Sequence, residues 1–535
     1  MNPLIIAYDV GTTGIKTCVY EVADTIRLLA SDMEVYELYV LDNGGAEQDP
    51  YDWWHAMCST TRKVLLNNNI APNRIKGISF CAQMQGLVLV DREGEPVRRA
   101  MSYMDNRAQK QFRDGMAHGL QIAGVNVLKL LKSLRITGAV AASVKDPVWK
   151  YKWVEENEPE LFNRVYKWLD VKEFLIARCT DQFVMTEDSA FATLLYDTRP
   201  GRKCFSPEIC RMLGVNMQHL PRIVRSTDMI GGLTSRAAAE LGLDEGTPVF
   251  GGGGDASLIG VGAGAVDLGN THAYLGTSGW ISTVVDRQIV DTSSMIASIV
   301  GADPRYFNYF AELETAGKCL EWVKDHLALD EISIYLEKKQ VDEGPEAVYR
   351  NLYDYMMHAI QHVPAGSNGV IFTPWLHGNR CPFEDPNARG MFFNISIENG
   401  KSDMIHAVLE GVCYHLRWQL ESQEKKVRTS EVIRLVGGGA LAPLTCQTLA
   451  DVLGREIETV ENPQNVGAVG AVAVAAVGLG IIGELSDVKS LIKVAARYTP
   501  NRSNREIHDK NFEAFKALYR NNRRIFGLLN NTSKA

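Results

Sequence analysis

Two aspartates stand beside runs of glycine where strands should end. Asp9 comes just before Gly11-Thr12-Thr13-Gly14, and Asp255 follows Gly251-Gly252-Gly253-Gly254. A carboxylate facing a triphosphate can hold Mg²⁺, usually through water, and one facing an alcohol can accept its proton during phosphoryl transfer. Capping a turn is the competing use of each aspartate taken singly. Two further turns are built the same way, Gly276-Thr277-Ser278-Gly279 and Gly437-Gly438-Gly439-Ala440. Glycine lets backbone N–H groups crowd around phosphate oxygens, and Thr and Ser hydroxyls add donors, so three such turns in one chain point to a bound nucleotide.

The familiar fingerprints do not account for these turns. Gly11 to Thr17 resembles a P-loop, but Ile15 stands where a glycine should precede Lys16 and the spacing is short. Gly478-Leu479-Gly480-Ile481-Ile482-Gly483 matches the dinucleotide pattern letter for letter, yet it follows an expected helix instead of a strand. Neither H-E-x-x-H nor G-x-S-x-G occurs, which removes simple metalloprotease and serine-hydrolase readings.

The elements that must position these residues echo at half-length. Residues 4–8 read as a buried strand, then comes the Gly11 turn, then a returning strand over 15–21. The same order recurs as 271–275, the Gly276 turn and 280–285, with Gly276 lying 265 positions after Gly11 in a chain of 535. This is the pattern expected of a duplicated α/β domain. Residues 52–66 read as a helix with Asp49-Pro50 as cap and first turn, and 75–80 as a strand. In the second half, helices are expected at 316–327, 349–362, 403–425, 441–453 and 466–477, and strands at 369–373 and 432–436. We place the boundary in 251–264, dividing the chain into 1–253 and 254–535, with the glycine run supplying hinge flexibility.

Composition excludes several function classes. Hydrophobic residues make up 46% and charged residues 22%, a globular balance, and a net charge of −8 offers no global positive field to nucleic acid or anionic lipid. Residues 489–535 carry a local +8, but Phe512, Phe515, Tyr519 and Phe526 recur near helical spacing there, as in an amphipathic closing helix with a solvated basic face. Residues 466–483 contain no charge, yet Gly, Ala and Val with no aromatic or basic flanks read as a closely packed buried helix rather than a membrane span. The ten cysteines are scattered without a C-x-x-C pair, as expected of reduced cytosolic thiols, and the first residues lack the basic region of a signal peptide.

Taken together, the separated segments resemble the FGGY carbohydrate kinases, most closely the xylulokinase branch, over nearly the whole length. Asp9-Val10-Gly11-Thr12-Thr13-Gly14 is similar to the family's first phosphate loop, and Glu47-Gln48-Asp49-Pro50 with Trp53-Trp54 to its E-Q-D-P-x-x-W-W segment. Gln83-Met84-Gln85-Gly86 resembles Q-M-H-G, and Asp105 with Arg107 a substrate-side D-x-R. Gly251 to Asp255 resembles the segment ending in the catalytic aspartate, and Gly276 to Gly279 the second phosphate loop. Pro374-Trp375-Leu376-His377-Gly378-Asn379-Arg380-Cys381-Pro382 is similar to P-Y-L-x-G-E-R-x-P, and Gly437 to Ala440 to the adenosine loop.

The resemblance implies an α/β fold of two RNase H-like domains, of the actin, hexokinase and chaperone superfamily, with ATP in the cleft between them and sugar mainly against the first. It makes Asp255 the general base and Asp9 the residue near Mg²⁺. Gly11, Thr12, Thr13 and Lys16, with Gly276, Thr277 and Ser278, would meet phosphates. Gly317, Glu321, Gly438, Gly439 and Pro443 would line the nucleotide pocket, and Gln83, Met84, Gln85, Asp105, Arg107, Asp255 and Ala256 the sugar side. Departures fall where sugar identity is read: Gln85 replaces the xylulokinase His, and Ala256 the Asn that commonly follows the base. Pro443 stands where glycerol kinases have an Asn. The implied activity is ATP-dependent phosphorylation of a terminal primary hydroxyl, with D-xylulose as first choice. Another pentulose or polyol, such as ribulose, erythritol or a glycerol-like alcohol, is the alternative, and a non-catalytic ATP-gated binding module is the rival from another class. The implied partner is a small-molecule sugar, in the cytoplasm, without nucleic acid or membrane and with room for a homodimer.

Overall fold

The computed structural model describes residues 2–122, 124–327, 355 and 358–531. Leu4–Val10 and Gly14–Val22 form an antiparallel hairpin that sets Asp9 opposite Lys16. Ile26–Val35 continues the sheet beyond the second strand. On the other side Ile75–Ala82 and Pro248–Phe250 run parallel to the first strand, and Met229–Gly232 closes the edge antiparallel.

The second half repeats this plan. Thr271–Leu275 and Gly279–Val285 form the hairpin, and Phe307–Leu313 extends it. Val432–Val436 and Glu456–Val460 follow in parallel, with Val494–Tyr498 antiparallel at the edge. The half-length echo of the sequence is therefore a repeat of topology, and the chain has a two-domain α/β fold. One difference is connectivity: the antiparallel edge strand precedes its neighbour in the first half and follows it in the second.

Several helices begin where backbone chemistry requires. Pro50 opens Pro50–Asn67, since its missing N–H is no loss in a first turn, while the Asp49 carboxylate accepts from Tyr51 N at 2.9 Å. The helix expected at 441–453 starts instead at Pro443, because Gly438–Leu441 forms a 3-10 turn and Pro443 suits the first helical position. The strand expected at 369–373 shortens to Ile371–Thr373, as Ser367–Gly369 is also a 3-10 turn. The helix expected at 349–362 lies largely outside the described residues. Arg505–Asn530 is the closing helix, burying Phe512, Phe515, Tyr519 and Phe526 while Arg520, Arg523 and Arg524 face out.

Val466–Gly478 has eleven consecutive buried residues and shares a core with Ile5, Ala7, Cys18 and Tyr20 of the first sheet. Its approach to Asp255–Gly262 is nearly backbone to backbone. A Cβ on Gly262 would lie 1.8 Å from Val466 O, and one on Gly470 would lie 2.2 Å from Leu258 O. Among the described residues no helix is long and apolar enough to cross a membrane. The run Gly251 to Gly254, expected to flex, is buried and tightly packed: Gly252 has φ +63, and an added Cβ would meet Phe80 O at 2.2 Å. Its glycines serve close approach rather than looseness.

Candidate active site

Register brings the two aspartates together. Val10 pairs with Ala82 and Ala82 with Gly254, while Asp9 pairs with Cys81 and Cys81 with Gly253. Asp9 and Asp255 thus meet at the carboxyl ends of parallel strands, where open α/β sheets bind ligands. Asp255 opens the helix Asp255–Gly262 with Gly254 as cap, and its carboxylate accepts from Ala256 N at 2.7 Å. Burial nevertheless pushes Asp255 up to about 7 against that N–H, and the charges of Asp9, Glu312 and Asp188 add to the rise. Burial also raises Asp9, opposed by the Lys16 ammonium and the Cys81 thiol.

The first glycine turn is held by its carbonyls. Tyr36 donates its hydroxyl to Gly11 O at 2.6 Å and Gly14 O at 3.0 Å, and its N–H to Thr13 O at 3.1 Å, while Gln48 Nε2 donates to Thr12 O at 2.7 Å. A loop whose acceptors face the protein suits an anion on its other side. The Thr13 side chain is exposed, and Lys16 Nζ reaches across to Asn465 Oδ1 at 3.0 Å, tying the first hairpin to the second half.

In the second turn Thr277 is exposed and Ser278 half-buried. Its carbonyls receive the start of the helix Gly317–His326: Gly317 N donates to Gly276 O at 2.9 Å and Lys318 N to Thr277 O at 3.1 Å. Glu321, one turn on, pairs with Lys318 at 2.8 Å. The third turn packs beneath, for Gly437 has φ +90 and a Cβ there would meet Leu275 O at 2.5 Å. Gly438 and Gly439 lead from it to Pro443, which is exposed. The residues expected at the nucleotide thus gather around two interlocked turns.

On the substrate side, Gln83 N bonds Val10 O at 2.9 Å and Gln83 Nε2 donates to Gln48 Oε1 at 2.9 Å. Because Gln48 must donate to Thr12 O, its own oxygen turns to Gln83, and Gln83 Oε1 is left as a buried acceptor without a protein partner. Met84 packs on the turn before Asp255, where a Cβ on Gly254 would meet its Sδ at 2.1 Å. Gln85 has φ +64 and is held there by Lys150, whose Nζ donates to Gln85 O at 2.7 Å and Ser102 O at 2.8 Å. Burial lowers Lys150 to about 8. Ala256 is half-buried beside Asp255.

Asp105 and Arg107 are committed to the protein. Asp105 accepts from Ala46 N at 2.9 Å and from Arg107 Nη2 at 2.7 Å, and Arg107 also bonds Glu47 at 2.7 Å and lies 4.6 Å over the Trp153 ring. Both Asp105 oxygens hold protein donors, so the pair buttresses the wall from behind.

Sequence reasoning missed Cys81, Asp188 and Lys150. Asp188 lies under the turn of Asp255 and accepts from Gly254 N at 2.8 Å. The run Thr186-Glu187-Asp188-Ser189 before apolar residues does signal a helix start, but not that neighbour. Among the described residues no three His, Cys, Asp or Glu side chains gather as a metal site. A cation here would rest on Asp9, water and phosphate oxygens, which fits Mg²⁺, a metal that keeps several waters.

Comparison with known proteins identifies the family and the fold. Residues 4–262 match the N-terminal domain model of the FGGY family of carbohydrate kinases, and residues 272–479 match its C-terminal domain model. A xylulose kinase of Staphylococcus epidermidis is 27% identical over 526 residues, covering 98% of each chain. A gluconokinase of Bacillus subtilis is 26% identical, covering 94% of this chain and 92% of its own. Among solved structures, a gluconate kinase from Lactobacillus acidophilus superposes with TM-score 0.83 at 25% identity, over 99% of this chain and all of the other. A ligand-bound xylulose kinase from the same organism also gives 0.83 at 25% identity, over 98% of this chain and 100% of its own. The chain belongs to the FGGY family of carbohydrate kinases, and is a sugar kinase of the xylulokinase and gluconokinase type.

Proposed function

We propose that this enzyme transfers the γ-phosphoryl group of ATP to the terminal primary hydroxyl of a ketopentose, with D-xylulose the first candidate, in the cytoplasm. The observation that supports this most is Asp255, a half-buried carboxylate that desolvation raises to about 7 at a strand-end cleft. A gated module that only opens and closes on nucleotide has no use for a base there. The division into 1–253 and 254–535 is part of the same reading. Bound ATP with Mg²⁺ supplies the phosphoryl group and neutralises its charge. Asp255 would accept the hydroxyl proton as the sugar oxygen bonds to phosphorus and the bond from that phosphorus to the ADP oxygen breaks, and Asp9 would hold the water shell of Mg²⁺. Gly11, Thr12, Thr13 and Lys16 meet phosphates from one side, and Gly276, Thr277 and Ser278 from the other. Gln83, Met84, Gln85 and Ala256 face the sugar, and Gly317, Glu321, Gly438, Gly439 and Pro443 the nucleoside. A coupled ADP assay over pentuloses, pentitols, tetritols, glycerol and gluconate tests the proposal. Sugar-dependent ADP with D-xylulose preferred supports it, and none from any compound favours the module.

Specificity is expected to follow Gln85 and Ala256. A left-handed backbone accepts His readily, so Gln85→His adds no strain at φ +64. Together with Ala256→Asn it restores two polar partners, and the kcat/KM ratio should move toward D-xylulose by roughly tenfold or more, since each unpaired group costs about 1 to 3 kcal/mol. An unchanged ratio across the panel would move specificity elsewhere, to the segment 117–147.

A further inference from the structure

We propose that Asp188 is a positioning residue for Asp255, fixing from beneath the turn that carries it. The inference rests on reading Asp255 as the base. Asp188 is 2% exposed. One of its oxygens accepts from Gly254 N at 2.8 Å and from the Ser257 hydroxyl, bracketing Asp255 on both sides in sequence. The other accepts from Ser189 N at 2.9 Å and from the Thr186 hydroxyl. Thr186 is held in turn by Lys172 Nζ at 2.6 Å, and Lys172 is paired with Glu173, both buried. A Cβ on Gly253 would lie 3.0 Å from the Asp188 carboxylate, so the glycine run is what lets the carboxylate sit so close.

Four donors converge on Asp188, two on each oxygen, a demand that a carboxylate meets and that an amide, with one oxygen and an N–H₂ group, does not. The charge placed beside Asp255 also opposes its ionisation. Asp188 therefore sets where Asp255 sits and how strongly it holds a proton. The other groups facing Asp255 are Asp9, Cys81 and Glu312, the last paired with Arg380 at 2.8 Å, while Lys16 faces Asp9. All of these stay in place when Asp188 is changed.

The test is Asp188→Asn in the full chain, with kcat, both KM values and the pH profile of kcat/KM measured. We expect kcat to fall about tenfold or more, the sugar and ATP KM values to change less than threefold, and the acidic limb to move down by roughly half a pH unit. A variant with lower melting temperature but an unmoved limb and unchanged kcat overturns the inference. If Asp188→Asn does not fold, Ser257→Ala decides, since it removes one of the two bonds to the turn: kcat should fall several-fold at unchanged KM, and an unchanged kcat overturns it. Full turnover in Asp255→Asn would instead sink the reading of Asp255, leaving the two failures distinct.

Discussion

Asp255→Asn should bind sugar and ATP with unchanged affinity and turn over about 10²-fold more slowly or worse. The amide occupies the same volume and still accepts from Ala256 N, which lies 2.7 Å from the native carboxylate, so the turn survives. What it cannot do is take the proton that the attacking hydroxyl must lose. The wild-type pH profile carries the same information. Burial and neighbouring carboxylates raise Asp255 to about 7, so below that pH it is protonated and inactive, and kcat/KM should climb as pH rises through neutrality. That limb should be missing from the variant's residual activity. Normal turnover, or an identical limb in the variant, would remove Asp255 from the mechanism.

Asp9→Asn should also lose about 10²-fold at low Mg²⁺, but with partial recovery as Mg²⁺ is raised. Its carboxylate ends the first strand, where burial raises it and the charge of Lys16 and the Cys81 thiol restrain the rise. An amide there holds a metal's water shell less tightly, a deficit that mass action can refill. Recovery separates the two aspartates, because no concentration of cation restores a missing base. A Mg²⁺ titration that overlays the wild-type curve would contradict the metal role of Asp9.

Short-range patterns were readable from the chain itself. The order of strand, glycine turn and strand marked both hairpins, Asp49-Pro50 marked a helix start, and the glycine turns marked the cleft, because each depends on residues a few positions apart. Pairings between segments far apart in the chain were not readable. Asp188 and Gly254 lie 66 positions apart, and Lys150 and Gln85 lie 65 apart, so each contact exists only once the register is set. Gln85 carries no mark of its left-handed backbone, since a non-glycine residue adopts it only where its surroundings impose it. The run Gly251 to Gly254 misled because glycine serves freedom and close approach alike, and only the neighbouring Phe80 carbonyl and Met84 sulfur tell them apart.

Val466–Gly478 bears on the order in which this protein can be made. Its glycines and valines are poor helix formers, so it becomes a helix by packing rather than by preference. The surface it covers includes Ile5, Ala7 and Cys18, more than 440 positions earlier, as well as Cys81 and Phe250. During synthesis that face of the first sheet emerges early and stays uncovered until residues 466–478 follow, roughly 20 to 90 seconds later at about 5 to 20 residues per second. The first half is thus a sheet with half its roof missing, and the translating ribosome presents an apolar surface that a chaperone can hold. Although two family models divide the sequence, a helix of the second half completes the core of the first sheet, and a fragment ending near residue 262 should be prone to aggregate where the full chain is not.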